Sequence, residues 1–368
     1  MKTSFALCLV VVTLFSLGLL MIFNTAAAEE LVDVRGLPFY LSTIKQLAFF
    51  MVGLLFAFVL YKLGYEYLIE KSPLLFLGCF LMLALVLVPK VGMYINGARR
   101  WINIGGISLQ PSEFAKVVIP LFYMKLYGGE KGFTTAKRFF LAQLPFMALI
   151  LLVLLEPDNG TGAILIATLV VSYFITRVSL LYWFLPMAIF VSCGVTLALS
   201  MKHVNDRIHV YLHPEADLLG KGHQPFQAKI AAGSGGIFGR GLGESLQKYQ
   251  YLPEARSDYI AAIYAEEFGF IGMVFLITLY MILAMLGFRI ASKCSDEKGV
   301  FLATIFTFII TFQAFLNLGV VSGLLPSKGT NLPFFSQGGS SLWGNIFLVT
   351  LLLNICQKSL RHRKGSSL

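Results

Sequence analysis

Charge is scarce in this sequence. Asp, Glu, Lys and Arg make up only 13% of its 368 residues, against 57% hydrophobic residues, and the mean hydropathy is +0.78. So little charge cannot cover a water-soluble globule, and the composition predicts a polytopic membrane protein. Cysteine is also sparse. Cys8, Cys79, Cys193, Cys294 and Cys356 fall in apolar runs or a short basic loop and none lies in the long polar stretch, so neither a disulfide framework nor a cysteine metal site is indicated. Acids are fewer than bases, 19 against 29. The bases are scattered through short loops and the C-terminal tail, a pattern that fits contact with anionic membrane lipids and argues against nucleic acid.

What is present is apolar and segmented. Ten runs, at 5–23, 46–61, 72–89, 113–127, 139–155, 161–176, 179–201, 259–288, 300–325 and 340–356, approach the ~20 residues a helix needs to cross ~30 Å of hydrocarbon. They predict an all-α polytopic integral membrane protein, one membrane domain over 1–368 with a single large loop at 202–257. The first run resembles a signal peptide, ending in Thr25-Ala26-Ala27-Ala28-Glu29, but its length favours a retained helix. With the amino terminus inside, the inner loops and tail hold Lys62, Lys71, Lys125, Lys131, Lys137, Arg138, Arg177, Arg289, Lys293, Lys298 and the Lys358–Lys364 cluster. The short outer loops hold only Arg35, Lys45, Lys90, Arg99, Arg100 and Lys328. The positive-inside rule therefore puts both termini in the cytoplasm and the large loop outside.

Four polar stretches then share the outer side. The first, Asn96 to Lys116, brings Arg99, Arg100 and Trp101 to the start of a helix at Pro111, which Gln110 or Ser112 could cap. Glu113 and Lys116 stand there at i,i+3. They form either an internal ion pair or, with the arginines, an anion site at headgroup level. The second is the acidic turn Glu156-Pro157-Asp158-Asn159-Gly160. The third is the large loop, whose glycines Gly233 to Gly243 match no nucleotide-binding spacing and suggest a re-entrant or tight turn. Its His209 and His213 are spaced i,i+4 but lack further metal ligands. The fourth, Leu325 to Ser341, is too rich in proline and glycine for a regular helix and suits a cavity lining.

The large loop ends in Gln247-Lys248-Tyr249-Gln250-Tyr251-Leu252-Pro253-Glu254-Ala255-Arg256-Ser257-Asp258, directly before an apolar run. Helical spacing puts Ala262, Ala265, Gly269 and Gly272 on the face below Asp258, so a small-residue stripe is headed by an acid. Phe268–Phe288 carries no charge, about 32 Å of helix. An unbroken helix would therefore hold Asp258 roughly 15 Å further out, with Glu266 and Glu267 at the interface. Asp258 is either a helix cap or a chemical group.

Taken together these residues resemble the SEDS family (shape, elongation, division and sporulation), the group typified by RodA and FtsW. The matching pieces are Gly97 through Ile102, Gln110 through Lys116, Pro157-Asp158 with Gly160, Gly239 through Gly243, Gln247-Lys248, Tyr251 through Ala255, Asp258, Glu266 through Gly269, and Pro326 through Ser341, in order over nearly the whole chain. Tyr251-Leu252-Pro253-Glu254-Ala255 and Pro326-Ser327-Lys328-Gly329 look more like the division-type members. The resemblance implies a peptidoglycan glycosyltransferase that polymerises lipid II at the outer face of the cytoplasmic membrane. It implies Asp258 as catalytic base and Arg100, Lys116, Lys328, Glu113, Glu254, Lys248, Ser340 and Ser341 as substrate-binding residues. A class B penicillin-binding protein transpeptidase and other division proteins are the implied partners. No cofactor is implied, although diphosphate chemistry allows a divalent cation. Arg256-Ser257 and Gln337 stand where the family more often has His-Thr and Tyr. An arginine near Asp258 would lower its pKa or serve as a further diphosphate cation. A lipid II flippase and a non-catalytic scaffold that recruits a transpeptidase remain alternatives.

Overall fold

The computed structural model describes residues 2–32, 38–95, 98–128, 132–133, 135–186, 188, 192, 222–249, 252–326 and 329–365. The helices are α1 (Lys2–Val32), α2 (Tyr40–Leu63), α3 (Tyr65–Leu87), α4 (Pro111–Tyr127), α5 (Ala136–Leu155), α6 (Asn159–Ile175), α7 (His223–Ser234), α8 (Ile260–Lys293), α9 (Glu297–Val321) and α10 (Gly339–Gly365). Seven of them, α1, α2, α3, α5, α8, α9 and α10, are long and apolar enough to cross a membrane. The fourth and sixth expected segments are the 17-residue α4 and α6. The seventh is helical over 180–186, and most of its remainder lies outside the described residues, as do His209 and His213.

Burial ranks these helices. In α10, 83% of the apolar window is enclosed and in α9 61%, against 17% in α2, so α9 and α10 form the centre and α2 faces outward. Close approach depends on small residues. A Cβ at Gly344 of α10 would lie 3.1 Å from the Glu113 carbonyl of α4, which seats the first turn of α4 against the central helix.

To the helical plan the structure adds a three-stranded antiparallel sheet, β1 (Gly92–Ile95), β2 (Ala98–Ile104) and β3 (Ile107–Leu109). Gly105 and Gly106 turn the β2–β3 hairpin at φ 59° and 85°, the left-handed pair that a type I′ turn requires. No strand was expected from the sequence. The signal was present in Ile102, Ile104 and Ile107 around a Gly-Gly pair.

Helix α8 is not the unbroken rod that the apolar run suggested. Gly269 adopts φ 64°, ψ −161°, and the glycine loop after α7 docks into the break. Arg240 and Gly241 amides donate to the Glu266 and Glu267 carbonyls, each at 3.0 Å. Phe270 and Ile271 amides donate to the Gly236 and Ile237 carbonyls at 2.9 and 3.2 Å. The loop thus supplies the partners that the helix loses, the condition for a broken helix at membrane depth. Contact is backbone to backbone: a Cβ at Gly239, itself at φ 80°, would fall 2.1 Å from the Glu267 carbonyl oxygen. The tight turn expected at Gly233 to Gly243 is therefore present, and its dense glycine permits this approach.

Candidate active site

The four polar stretches meet around one cavity of about 580 Å³, whose lining includes Arg100, Gln110, Glu113, Thr161, Glu254, Asp258, Gly329, Ser340 and Ser341. Its depth is set by α9. Gln313 and Asn317, one turn apart on that helix, are both buried. Asn317 Nδ2 donates to the Thr330 carbonyl at 2.6 Å and to the Asp258 carbonyl at 2.8 Å, and Gln313 Nε2 donates to the Asn331 carbonyl at 2.8 Å. Two amides therefore clamp the α9–α10 loop to the turn that carries Asp258. The sequence reading missed them. Paired amides inside the apolar run 300–325 were the available signal.

Asp258 does not cap α8. It precedes the N-cap residue Tyr259, and among the described residues its carboxylate accepts no hydrogen bond. The turn is held by backbone and neighbours instead: Tyr259 N donates to Glu254 O at 3.2 Å, and Ser336 Oγ to Ser257 O at 2.6 Å. Gly329 closes over the acid, since a Cβ there would lie 2.8 Å from Asp258 Oδ2 and 3.9 Å from Arg100 Nη1. Burial pushes the Asp258 carboxyl up to about 7. The Glu254 carboxylate adds to the rise, Arg100 opposes it, and Asp158 contributes a further rise. Arg256 was expected either to lower that value or to serve as a further diphosphate cation, but it turns away, pairing with Glu29 at 2.7 Å and donating to Ser42 Oγ at 2.7 Å.

Arg100 projects from β2 and is fixed at the α5–α6 corner, where Nε donates to the Glu156 carbonyl at 3.1 Å and Nη2 to the Pro157 carbonyl. Backbone carbonyls orient the guanidinium without neutralising it. Asp158 caps α6 through the Thr161 amide at 3.3 Å and receives Gln110 Nε2 at 2.9 Å and Ser112 Oγ at 3.1 Å. Those two side chains therefore reach across to α6 and leave the start of α4 uncapped. The Glu156 carboxyl, fully buried, has no hydrogen-bond partner among the described residues, and burial raises it to about 8, with Asp158 adding to the rise and Arg100 opposing it.

The sequence-predicted residues separate into groups. Asp258, Arg100, Glu113, Glu254, Ser340 and Ser341 share the cavity. Lys116 lies beneath it with 0% exposure, its Nζ 2.6 Å from Glu113 Oε2 and 2.7 Å from Gln313 Oε1. It neutralises the floor without opening onto the cavity. Lys248, 2% exposed, pairs with Glu267 at 3.0 Å and with Asn24 of α1 at 2.9 Å. That places it in the support of the loop, away from the cavity. Lys328 lies outside the described residues, although Gly329 beside it lines the cavity. Arg256, Ser257 and Gln337, where the sequence departs from the family pattern, line a second hollow beside the first.

Residues 5–361 match the profile of the "Cell cycle protein" family that covers FtsW, RodA and SpoVE. The chain belongs to this family. It is 38% identical over 362 residues to "Stage V sporulation protein E" of Bacillus subtilis (strain 168), covering 97% of this chain and 98% of that protein. It is 36% identical over 354 residues to "Probable peptidoglycan glycosyltransferase FtsW" of Trichlorobacter lovleyi, covering 95% and 92%. Among solved structures, a chain of "a peptidoglycan synthase complex" aligns with TM-score 0.76 at 26% identity, covering 96% of this chain and 98% of that one. Rod shape determining protein RodA of Thermus thermophilus aligns with TM-score 0.70 at 27% identity, covering 96% of each. The SEDS resemblance read from the motifs and the polytopic helical fold are thereby established.

Proposed function

We propose that this SEDS protein is a peptidoglycan glycosyltransferase that polymerises lipid II, a disaccharide-pentapeptide on undecaprenyl pyrophosphate, at the outer face of the cytoplasmic membrane during cell division. The observation that carries the reading is the Asp258 carboxyl, raised to about 7 and free of hydrogen bonds from described residues, in one cavity with the guanidinium of Arg100. An acceptor sugar hydroxyl attacks the anomeric carbon of the donor, and the new glycosidic bond forms as the bond to the diphosphate oxygen breaks. Asp258 takes the hydroxyl proton. A base whose pKa lies near the working pH is well matched to that transfer. The electron pair leaves on the lipid diphosphate, and Arg100, already oriented by carbonyls, stabilises the charge without reorganising. Lys328 is the further cation this scheme calls for. Attack from the face opposite the leaving group inverts the anomeric centre.

Glu113, Glu254, Ser340 and Ser341 offer acceptors and hydroxyls suited to sugar contacts. Lys116 acts through Glu113 and Gln313, holding the floor charge-balanced, and Lys248 acts through Glu267 as a positioning residue. Among the described residues no group of three metal-ligating side chains occurs. A divalent cation would accordingly be held by diphosphate oxygens with one or two of the cavity carboxylates, a donor set suited to Mg²⁺. Crosslinking of the strands falls to a partner, a class B penicillin-binding protein transpeptidase, working with other division proteins.

Asp258→Asn keeps the shape and removes the base. Purified variant given lipid II, with and without the transpeptidase partner, is expected to lose about 10²–10⁴-fold in glycan synthesis while unfolding at a temperature no lower than the parent. Wild-type rates in a folded Asp258→Asn protein would end this assignment.

A further inference from the structure

On the far side of the Glu254–Ser257 turn from Asp258 lies a second hollow of about 350 Å³, lined by Glu29, Glu254, Ala255, Arg256, Ser257 and Gln337. Three of these, Glu254, Ser257 and Gln337, also line the main cavity, so the two spaces share a wall. We propose that this hollow is a saccharide subsite that holds the glycan beyond the reacting sugar. The inference rests on the polymerase reading above and adds to it where the neighbouring sugars lie.

The lining chemistry selects the ligand class. Five of the six residues are polar, and the acids and the base are arranged in opposition: Arg256 is 2.7 Å from Glu29 and 2.7 Å from Ser42 Oγ. A guanidinium already neutralised by one carboxylate, with Glu254 on the same wall, is poorly suited to a phosphate, which both acids would repel. Carboxylates accepting from hydroxyls, with guanidinium, amide and serine groups donating back, suit an uncharged ligand rich in hydroxyls and amides. The volume lies within the ~300–1,000 Å³ of small-molecule sites.

The hollow is also built to keep its shape. Arg256 is tied to α1 by Glu29 and to α2 by Ser42. The Gln337 amide donates to the Arg256 carbonyl at 2.9 Å, which joins the α9–α10 loop to the same turn. Glu254 sits at φ 56° with its Oε2 accepting Ser257 Oγ at 2.6 Å. A left-handed glutamate at the boundary of two cavities is a strained backbone position held by its surroundings. A strand whose terminal sugar reacts at Asp258 could pass its next sugar across this turn, where the same three residues touch both.

The test uses purified full-length protein with its transpeptidase partner and lipid II, comparing wild type with Arg256→Ala, Arg256→Lys and Gln337→Ala. The last removes only a side chain, since Gln337 bonds to Arg256 through its backbone. If the hollow grips the strand, Arg256→Ala shortens the mean glycan at least threefold while formation of the first glycosidic bond falls less than twofold, and Arg256→Lys restores part of the length; Gln337→Ala, on the wall shared with the main cavity, also shortens the glycan at least threefold. A soluble, lipid-free N-acetylhexosamine tetrasaccharide should inhibit elongation by wild type and do so at least fivefold more weakly in Arg256→Ala. Unchanged lengths and inhibition in folded variants, or equal loss of first bond and length in Arg256→Ala, would overturn the subsite. Inhibition by inorganic pyrophosphate that depends on Arg256, without any by the saccharide, would overturn it too. Absence of glycan from wild type would instead sink the polymerase reading, so the two failures are distinguishable.

Discussion

If Asp258 is the base, activity must follow its ionisation. The carboxyl titrates near 7, so about 90% is ionised at pH 8 and about 3% at pH 5.5. The rate should therefore fall about 30-fold between them along a single ascending limb with its midpoint near 7. Neighbouring charges should move that midpoint in opposite directions. Glu254→Gln removes a like charge that raises the pKa, and shifts the limb to lower pH. Arg100→Ala removes the opposing cation and shifts it to higher pH while also depressing the plateau. The assay is the initial rate of glycan formation from lipid II in buffers of constant ionic strength, with each variant's fold checked by thermal unfolding at every pH. The same burial has a stability consequence with a defined sign. A carboxyl raised above its unfolded value near 3.8 stabilises the fold when protonated. That contribution is complete below pH ~4 and is lost as pH climbs through 7. Asp258→Asn should thus match or exceed the parent's stability above pH 7. A flat rate from pH 5 to 8, or both charge variants shifting the limb the same way, would refute the reasoning.

Two other perturbations follow from the packing. Lys248→Met leaves Glu267 buried without its cation and should cost about 3–5 kcal/mol, while Lys248→Met with Glu267→Leu recovers much of it; thermal unfolding in detergent reads both. Gly329→Ala pushes a methyl to 2.8 Å from Asp258 Oδ2, so glycan synthesis should drop at least tenfold with little change in unfolding temperature, since the residue lies on an exposed loop.

Much of this was legible from residue type and order. Polar groups are too costly in hydrocarbon to be idle, so the positions of Arg100, Glu113, Asp258 and the Leu325–Ser341 stretch already marked where chemistry would gather, and the four stretches do converge. Reach and direction were not legible. Lys248 looked like a cation for substrate because nothing local reveals that Glu267, nineteen positions on, and Asn24 of α1 enclose it. Arg256 looked like a neighbour of Asp258, yet Glu29 and Ser42 from two other helices draw it the opposite way. The break at Gly269 was hidden for a related reason. Gly269 and Gly272 are locally equivalent, and only the docking of Gly236 to Gly241 decides which one yields. Glu156 was read as part of an acidic turn on the outer side, and nothing in the local sequence shows that its carboxyl is wholly enclosed.

The docked glycine loop has a mechanical implication. Glu266 receives Ser245 Oγ and the amides of Leu246 and Gln247, and the segment that begins there returns to the same helix at Tyr259. The stretch bearing Asp258 is thus a closed handle whose two ends are riveted to one rod. It cannot swing by itself. Asn317 of α9 and Ser336 and Gln337 of the loop beyond it grip the same handle, so any displacement of Asp258 would have to carry α8 and α9 together as one jaw.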